Sequence, residues 1–132
     1  MLTFDQIIDG HAARYPKKIA VNDDKRKLSF NKLLIHGKNL TNYFASLNIK
    51  KKDRIALLAY NCSEFIEIMY ASSKLGALIL PINFRLNPEE ILEILRDAEP
   101  KIILYQIFFK NTIELIKKKS NFKNINFLMI NV

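Results

Sequence analysis

The stretch DRIALLAYNCSEFIEIMYASSKLGALILPINFRLNPEE, residues 53–90, carries the pattern that decides the fold. It reads as strand, helix, strand and helix start, with a short loop at each join. Residues 55–59 are apolar throughout and of strand length. Residues 62–75 have helical spacing, with Phe65, Ile66, Met69, Tyr70 and Ser73 on one face. Residues 77–80 are a second apolar run, closed by Pro81. Runs without alternation suit parallel strands covered on both faces, and two such runs joined by a helix form a βαβ unit. The helix punctuation agrees. Asn61 can cap the first helix, with Glu64 three residues later to close a capping box. Gly76 stands where a helix ends on a left-handed residue. Asn87, Pro88 and Glu90 repeat the start signal as cap, first-turn proline and acid.

Outward from this stretch, residues 3–15 predict a helix with Phe4, Ile7, Ile8 and Ala12 on its apolar face, capped by Thr3 or Asp5 and ended by Pro16. Residues 19–22 and 27–28 predict a small hairpin turning on Asp23, Asp24 and Lys25. Ser29 caps a long helix to about Leu47, with Phe30, Leu33, Leu34, Gly37, Leu40, Phe44 and Leu47 on one face. Residues 88–98 form a helix with Ile91, Leu92, Ile94 and Leu95 inward. Residues 101–105 make a third parallel strand, residues 111–119 a further helix, and residues 125–130 a fourth strand. The expected class is α/β, an open and mostly parallel sheet flanked by helices on both faces, with a small N-terminal hairpin. The 132 residues are expected to make a single domain.

Composition is that of a globular protein, with 49% apolar and 26% charged residues. No apolar run approaches the roughly 20 residues of a membrane span, and the N-terminus does not read as a signal peptide. The lone Cys62 excludes an internal disulfide and fits a reducing compartment, so a cytoplasmic location is expected. The formal charge of +8 comes mostly from short lysine clusters, without a basic stripe interleaved with aromatics. That pattern reads as a solvated surface and argues against a nucleic-acid partner.

The residues DRIALLAYNCSEF and KLGALILPINFRLNPEEI resemble the N-terminal part of the acyl-adenylate-forming enzymes, the AMP-forming acyl-CoA synthetases and their relatives. The family pattern runs roughly G-D-[RK]-V-A-[IL], then N-[ST]-x-E-[FY], then K-x-G-A-[VI]-x-[VL]-P-[IL]-N-x-R-L-x-x-x-E. Asp53, Arg54, Asn61, Glu64, Phe65, Lys74, Gly76, Ala77, Pro81, Asn83, Arg85, Leu86 and Glu90 fall on it in order. HAARYPKKIAV, LSFNKLL and DAEPKIIL extend the likeness on either side. Two departures stand out. Lys32 replaces an acid that would complete the capping box at Ser29. Asn48 and Lys52 replace the usual glycines of the turn before Asp53, and Lys52 is the less comfortable if that turn requires a positive φ.

The resemblance implies a partial domain spanning residues 1–132, the first part of an acid–CoA ligase. It implies ATP, Mg²⁺ and CoA as cofactors of the complete enzyme, a small carboxylate as substrate, and the rest of the synthetase, or self-association, as partner. In the family the nucleotide loop, rich in Ser, Thr and Gly, lies downstream of the strand on which this chain ends. The chain alone is therefore expected to hold no cofactor and to be inactive. Its residues supply no catalytic group and no metal-ligand spacing. Asn83 and Arg85 are the candidate binding residues, at the approach of CoA or substrate, because open parallel sheets bind ligands outside the carboxyl ends of their strands. Arg85 has an alternative use as an ion-pair partner of Glu89 or Glu90, and Tyr60 and Asn61 share that edge. The lysine clusters at residues 50–52, 101 and 117–119 are expected on the amino edge, away from it. His11 and His36 read as surface or cap residues, and Cys62 as a small helix-start residue rather than a reactive thiol. Two other readings fit the residues: a non-catalytic α/β binding or interaction module, and a basic RNA- or membrane-associated protein.

Overall fold

A computed structural model describes residues 1–130 of the chain. They gather into two compact units, one of Met1–Lys52 with Asn61–Ala77, the other of Asp53–Tyr60 with the residues from Leu78 onward.

The first unit contains α1 (Phe4–Arg14), β1 (Ile19–Asn22), β2 (Lys27–Ser29), α2 (Phe30–Ser46) and α3 (Glu64–Leu75). β1 and β2 pair antiparallel as the expected hairpin. Asp23 holds its turn, Oδ1 accepting from the Lys25 and Arg26 N–H groups at 2.8 Å each. Ser29 caps α2, its hydroxyl oxygen accepting from the Lys32 N–H at 3.1 Å. The third helical residue is Lys32, so no carboxylate is there to return the bond. The core joins Ile8, Leu33 and Tyr70, with Phe4, Val21, Phe30 and Ile66 against them. Gly37 lets α2 approach α3 closely: a Cβ there would lie 2.5 Å from Tyr70 Cδ1. The turn after α2 carries Asn48 at φ 61° and Lys52 at φ 70°, so both glycine substitutes sit in left-handed backbone.

α3 departs from expectation at its start. It begins at Glu64 with Ser63 as N-cap, and neither Asn61 nor Ser63 makes a side-chain cap bond. The reason is a long-range substitute. The Ser63 N–H donates to Asp23 Oδ2 at 2.9 Å, and the Ser63 hydroxyl accepts from Arg26 Nε at 2.6 Å. The hairpin turn, forty residues away in sequence, satisfies the donor that a local cap would take. The buried face is rotated too. Glu67, Ile68, Tyr70, Ala71 and Ser72 are buried, while Phe65, Met69 and Ser73 are half-buried. A charged residue tolerates this because Glu67 Oε1 meets Arg26 at 3.0 Å and His36 Nδ1 at 2.8 Å. The far end is as expected, with Gly76 left-handed at φ 70°.

The second unit contains β3 (Arg54–Leu58), β4 (Leu78–Pro81), α4 (Pro88–Ala98), β5 (Ile102–Gln106), a single 3₁₀ turn (Ile107–Phe109), α5 (Lys110–Lys119) and β6 (Asn126–Ile130). The strands form one sheet in the order β4-β3-β5-β6, every neighbouring pair parallel. Successive residues of β3 and β5 are buried, Ile55 to Leu58 and Ile102 to Leu104, so both sheet faces are covered. On one face Ala56, Leu58, Ile103 and Tyr105 pack with Ile91, Leu92 and Leu95 of α4 and Ile113 and Ile116 of α5. The capping box expected at α4 is complete: Asn87 Oδ1 accepts from the Glu90 N–H at 3.0 Å, and Glu90 Oε2 accepts from the Asn87 N–H at 2.9 Å. The fold is the open, parallel, helix-flanked α/β sheet read from the sequence.

Candidate functional site

Parallel strands send their following loops to one edge, and three of them converge here. β3 delivers Tyr60, β4 delivers residues 82–86, and β5 delivers the turn Ile107–Phe109. The Tyr60 N–H donates to Gln106 Oε1 at 2.7 Å, tying the first loop to the third. The Tyr60 ring lies 4.7 Å from Phe84, 5.0 Å from Phe108 and 5.1 Å from Phe109, centroid to centroid. Tilted and edge-on rings at this spacing attract beyond their buried area. Phe109 is buried and anchors the group; Phe108 is 71% exposed and Tyr60 39%.

Asn83 and Arg85 sit on the middle loop. Asn83 Oδ1 accepts from the Arg85 N–H at 3.0 Å, and the Asn83 carbonyl accepts from the Leu86 N–H at 3.1 Å. Asn83 thus shapes the turn with its own side chain. The Arg85 guanidinium carbon stands 5.4 Å from the Phe84 centroid. Its two rival partners are engaged elsewhere. Glu90 closes the α4 capping box, and Glu89 bonds Lys119. Arg85 has no ion pair among the described residues, so its charge is open to an anion. The structure therefore brings Asn83, Arg85 and Tyr60 to one edge. Gln106, Phe108 and Phe109 were missed from sequence. The available signal was the run QIFF directly after the third strand, at the position Tyr60 holds after the first.

The other candidates are not chemical centres. His11 stacks edge-on against Phe30 at 5.2 Å, and His36 pairs with Glu67. Among the described residues, no group of three or more His, Cys, Asp or Glu could hold a metal ion. Burial, with Glu64 nearby, pushes the Cys62 thiol up to about 11, which fits an inert residue. Burial and the bond to Asp9 also raise the Tyr70 phenol. Asp23 is held well below the usual carboxylate range by its bonds with Ser63 and the turn N–H groups. Burial would raise Asp5, but its bonds with Ser73 and Thr3 prevail and its pKa is lowered. Of the lysine clusters, Lys101 pairs with Asp53 at 3.2 Å where β5 and β3 begin, as expected. Lys117 stands over Phe127 near the start of β6. Lys119 departs from expectation, because it reaches Glu89 in the first turn of α4.

A family model described as AMP-binding enzyme matches residues 8–127. The chain belongs to the AMP-binding enzyme family. Within it, the chain is 29% identical over 110 residues to an indoleacetate–CoA ligase of Aromatoleum aromaticum, covering 83% of this chain and 22% of that protein. It is 37% identical over 84 residues to a crotonobetaine/carnitine–CoA ligase of Salmonella enteritidis, covering 64% of this chain and 16% of the other. The solved N-terminal domain of FACL13 from Mycobacterium tuberculosis superposes with a TM-score of 0.91 at 25% identity, over 98% of this chain and 34% of that one. The chain thus spans less than a quarter of the curated CoA ligases named here. It corresponds to the N-terminal part of an AMP-binding acyl-CoA synthetase. No helix of the described residues is long and apolar enough to cross a membrane.

Proposed function

We propose that this chain is the N-terminal portion of an AMP-forming acid–CoA ligase acting in the cytoplasm. The complete enzyme joins a carboxylate to ATP, releasing pyrophosphate from the acyl-adenylate, and CoA then displaces AMP to form the thioester. The family match and the two CoA ligase relatives support the reaction class. The two compact units make one N-terminal domain portion, a reading supported by a single family match running through both.

Within that enzyme, Asn83 and Arg85 form part of the approach for CoA or substrate. The observation that carries this is the open charge of Arg85 at the carboxyl edge, its acidic neighbours being held by Asn87 and Lys119. A guanidinium with free donors is suited to a phosphate, and the Asn83 turn orients the loop that bears it. The rings of Tyr60, Phe84 and Phe108 offer apolar surface beside it, to an organic ligand or to the rest of the synthetase. Among the described residues no group of three or more His, Cys, Asp or Glu is placed to hold Mg²⁺, so the metal of the complete enzyme is expected on residues outside this portion. Nor do the described residues assemble the donors that adenylation needs around its phosphates, so the 132-residue chain alone makes no acyl-adenylate.

Two measurements test this. CoA titrated into the isotope-labelled chain is expected to shift the backbone amides of Tyr60 and residues 83–86. Arg85→Ala is expected to weaken that response by about tenfold, the worth of one charge-assisted bond. A response indifferent to Arg85→Ala removes the binding role. Carboxylate-dependent pyrophosphate exchange by the purified chain overturns the expected inactivity.

A further inference from the structure

We infer that the amino edge of the parallel sheet carries a second ligand site, for a phosphate monoester with a small apolar body. A cavity of about 550 Å³ opens there between the end of α4, the start of β5 and the loop before β6. Its volume is within the ordinary range for small-molecule sites. Phe122 and Ile125, half-buried against the sheet core, supply apolar wall, and buried Pro100 adds to it. Around this wall stand three cations, Arg96, Lys101 and Lys123, against one carboxylate, Glu99.

Two of these cations, Arg96 and Lys123, have no pairing duty among the described residues. A basic residue in the last turn of a helix ordinarily serves the unsatisfied carbonyls there. At α4 that duty falls to Arg54, whose guanidinium donates to the carbonyls of Ala98 and Glu99. Arg96, in the same last turn, is left without an ion pair or hydrogen bond among the described residues. The same holds for Lys123. Lys101 is braced by Asp53 at 3.2 Å, which fixes its position at the mouth. The side-chain amides of Asn121 and Asn124 also line the cavity and have no partner among the described residues.

Two unengaged cations with two amides suit a doubly charged phosphate better than a single carboxylate. The apolar wall selects for an organic body attached to it. The shape and charge lie on strand ends opposite to the edge that bears Arg85, so this site stands independently of the CoA proposal.

Phenyl phosphate is the probe, with phenol and inorganic phosphate as its two halves, titrated into the isotope-labelled chain. Phenyl phosphate is expected to shift the backbone amides of Glu99, Lys101 and residues 121–125 in a saturable way. Phenol and inorganic phosphate each bind more weakly. Arg96→Ala and Lys123→Ala each weaken phenyl phosphate by about tenfold, while Glu99→Gln tightens it. All three side chains are exposed, so thermal unfolding should be unchanged and loss of binding cannot be loss of fold. Vesicles containing phosphatidic acid separate the two sources of a monoester. No sedimentation assigns the site to a soluble ligand; sedimentation abolished in the R96A/K123A variant assigns it to a lipid headgroup. Shifts absent at millimolar phenyl phosphate, centred instead on residues 83–86, or indifferent to both substitutions overturn the proposal.

Discussion

Replacing Gly37 by alanine should destabilise the protein, although alanine is the better helix former. In the interior of α2 the exchange alone would stabilise by about 1 kcal/mol. Against it stands the ring of Tyr70. The new Cβ would lie 2.5 Å from Cδ1 and 2.8 Å from Cγ. Carbon atoms pack at roughly 3.5–4.0 Å, so the ring must retreat by about 1 Å. Tyr70 is fully buried, and its hydroxyl donates to Asp9 Oδ1 at 2.7 Å. Overpacking a site that cannot yield costs about 1–3 kcal/mol. Straining a bond to a carboxylate adds roughly another 1 kcal/mol or more. The net expectation is a loss of about 2 kcal/mol, read as a lower urea midpoint at unchanged slope. A double-mutant cycle isolates the cause. With Tyr70→Ala in place the clash is gone, and alanine at position 37 should stabilise by about 1 kcal/mol. An alanine variant as stable as the wild type, or additive changes around the cycle, would refute the reasoning.

Asp23 is held below the ordinary carboxylate range in the folded chain, so its contribution is complete above the unfolded pKa near 3.9 and is lost as pH falls from there through the lower folded-state value. Asp23→Asn should therefore flatten the acid limb of a stability–pH curve, and an unchanged limb would count against the Ser63 and turn bonds as its cause. With its thiol pushed up to about 11, Cys62 should be about one part in a thousand thiolate at pH 8. Iodoacetamide should then label it far more slowly than the urea-unfolded chain; equal rates would contradict the burial. Phe108→Ser removes the most exposed ring of the carboxyl edge, which is 71% exposed. It should lower light scattering by the concentrated chain while shifting stability by less than about 0.5 kcal/mol, and undiminished scattering would clear this edge of self-association.

The parallel sheet was legible because its signals are local. Residues 55–58 and 102–105 are apolar at every position, and Gly76, Asn87 and Pro88 mark helix ends through backbone chemistry that needs no partner. The start of α3 was not legible for the opposite reason. Asn61 and Glu64 have the spacing of a capping box, but the donor at Ser63 is satisfied by Asp23. No periodicity reveals that a hairpin turn will supply an acceptor from so far along the chain. The burial of Glu67 was not legible either, since it depends on Arg26 and His36 arriving from two other elements. At the candidate site the turn residues Asn83 and Arg85 were readable, because position after a strand fixes the edge. The aromatic group was not, because Phe84, Phe108 and Tyr60 meet only when three loops converge.

Charge distribution shows why a net excess of +8 says little until the partners are known. Several cations have structural duties. Arg26 binds Glu64 and Glu67, Arg54 serves the α4 carbonyls, Lys101 meets Asp53, and Lys119 meets Glu89. The exposed ion pairs among these contribute little stability individually, yet each removes an acid from competition. Lys119 matters most in that respect. By holding Glu89 it leaves Arg85 without an ion pair among the described residues, and Arg54, by taking over the helix end, relieves Arg96 of that duty. A lysine at one end of α5 and an arginine opening β3 thereby leave Arg85 and Arg96 with their charge open. Ligand capacity in this chain follows from which pairings are already made, and surface charge alone would not have located either edge.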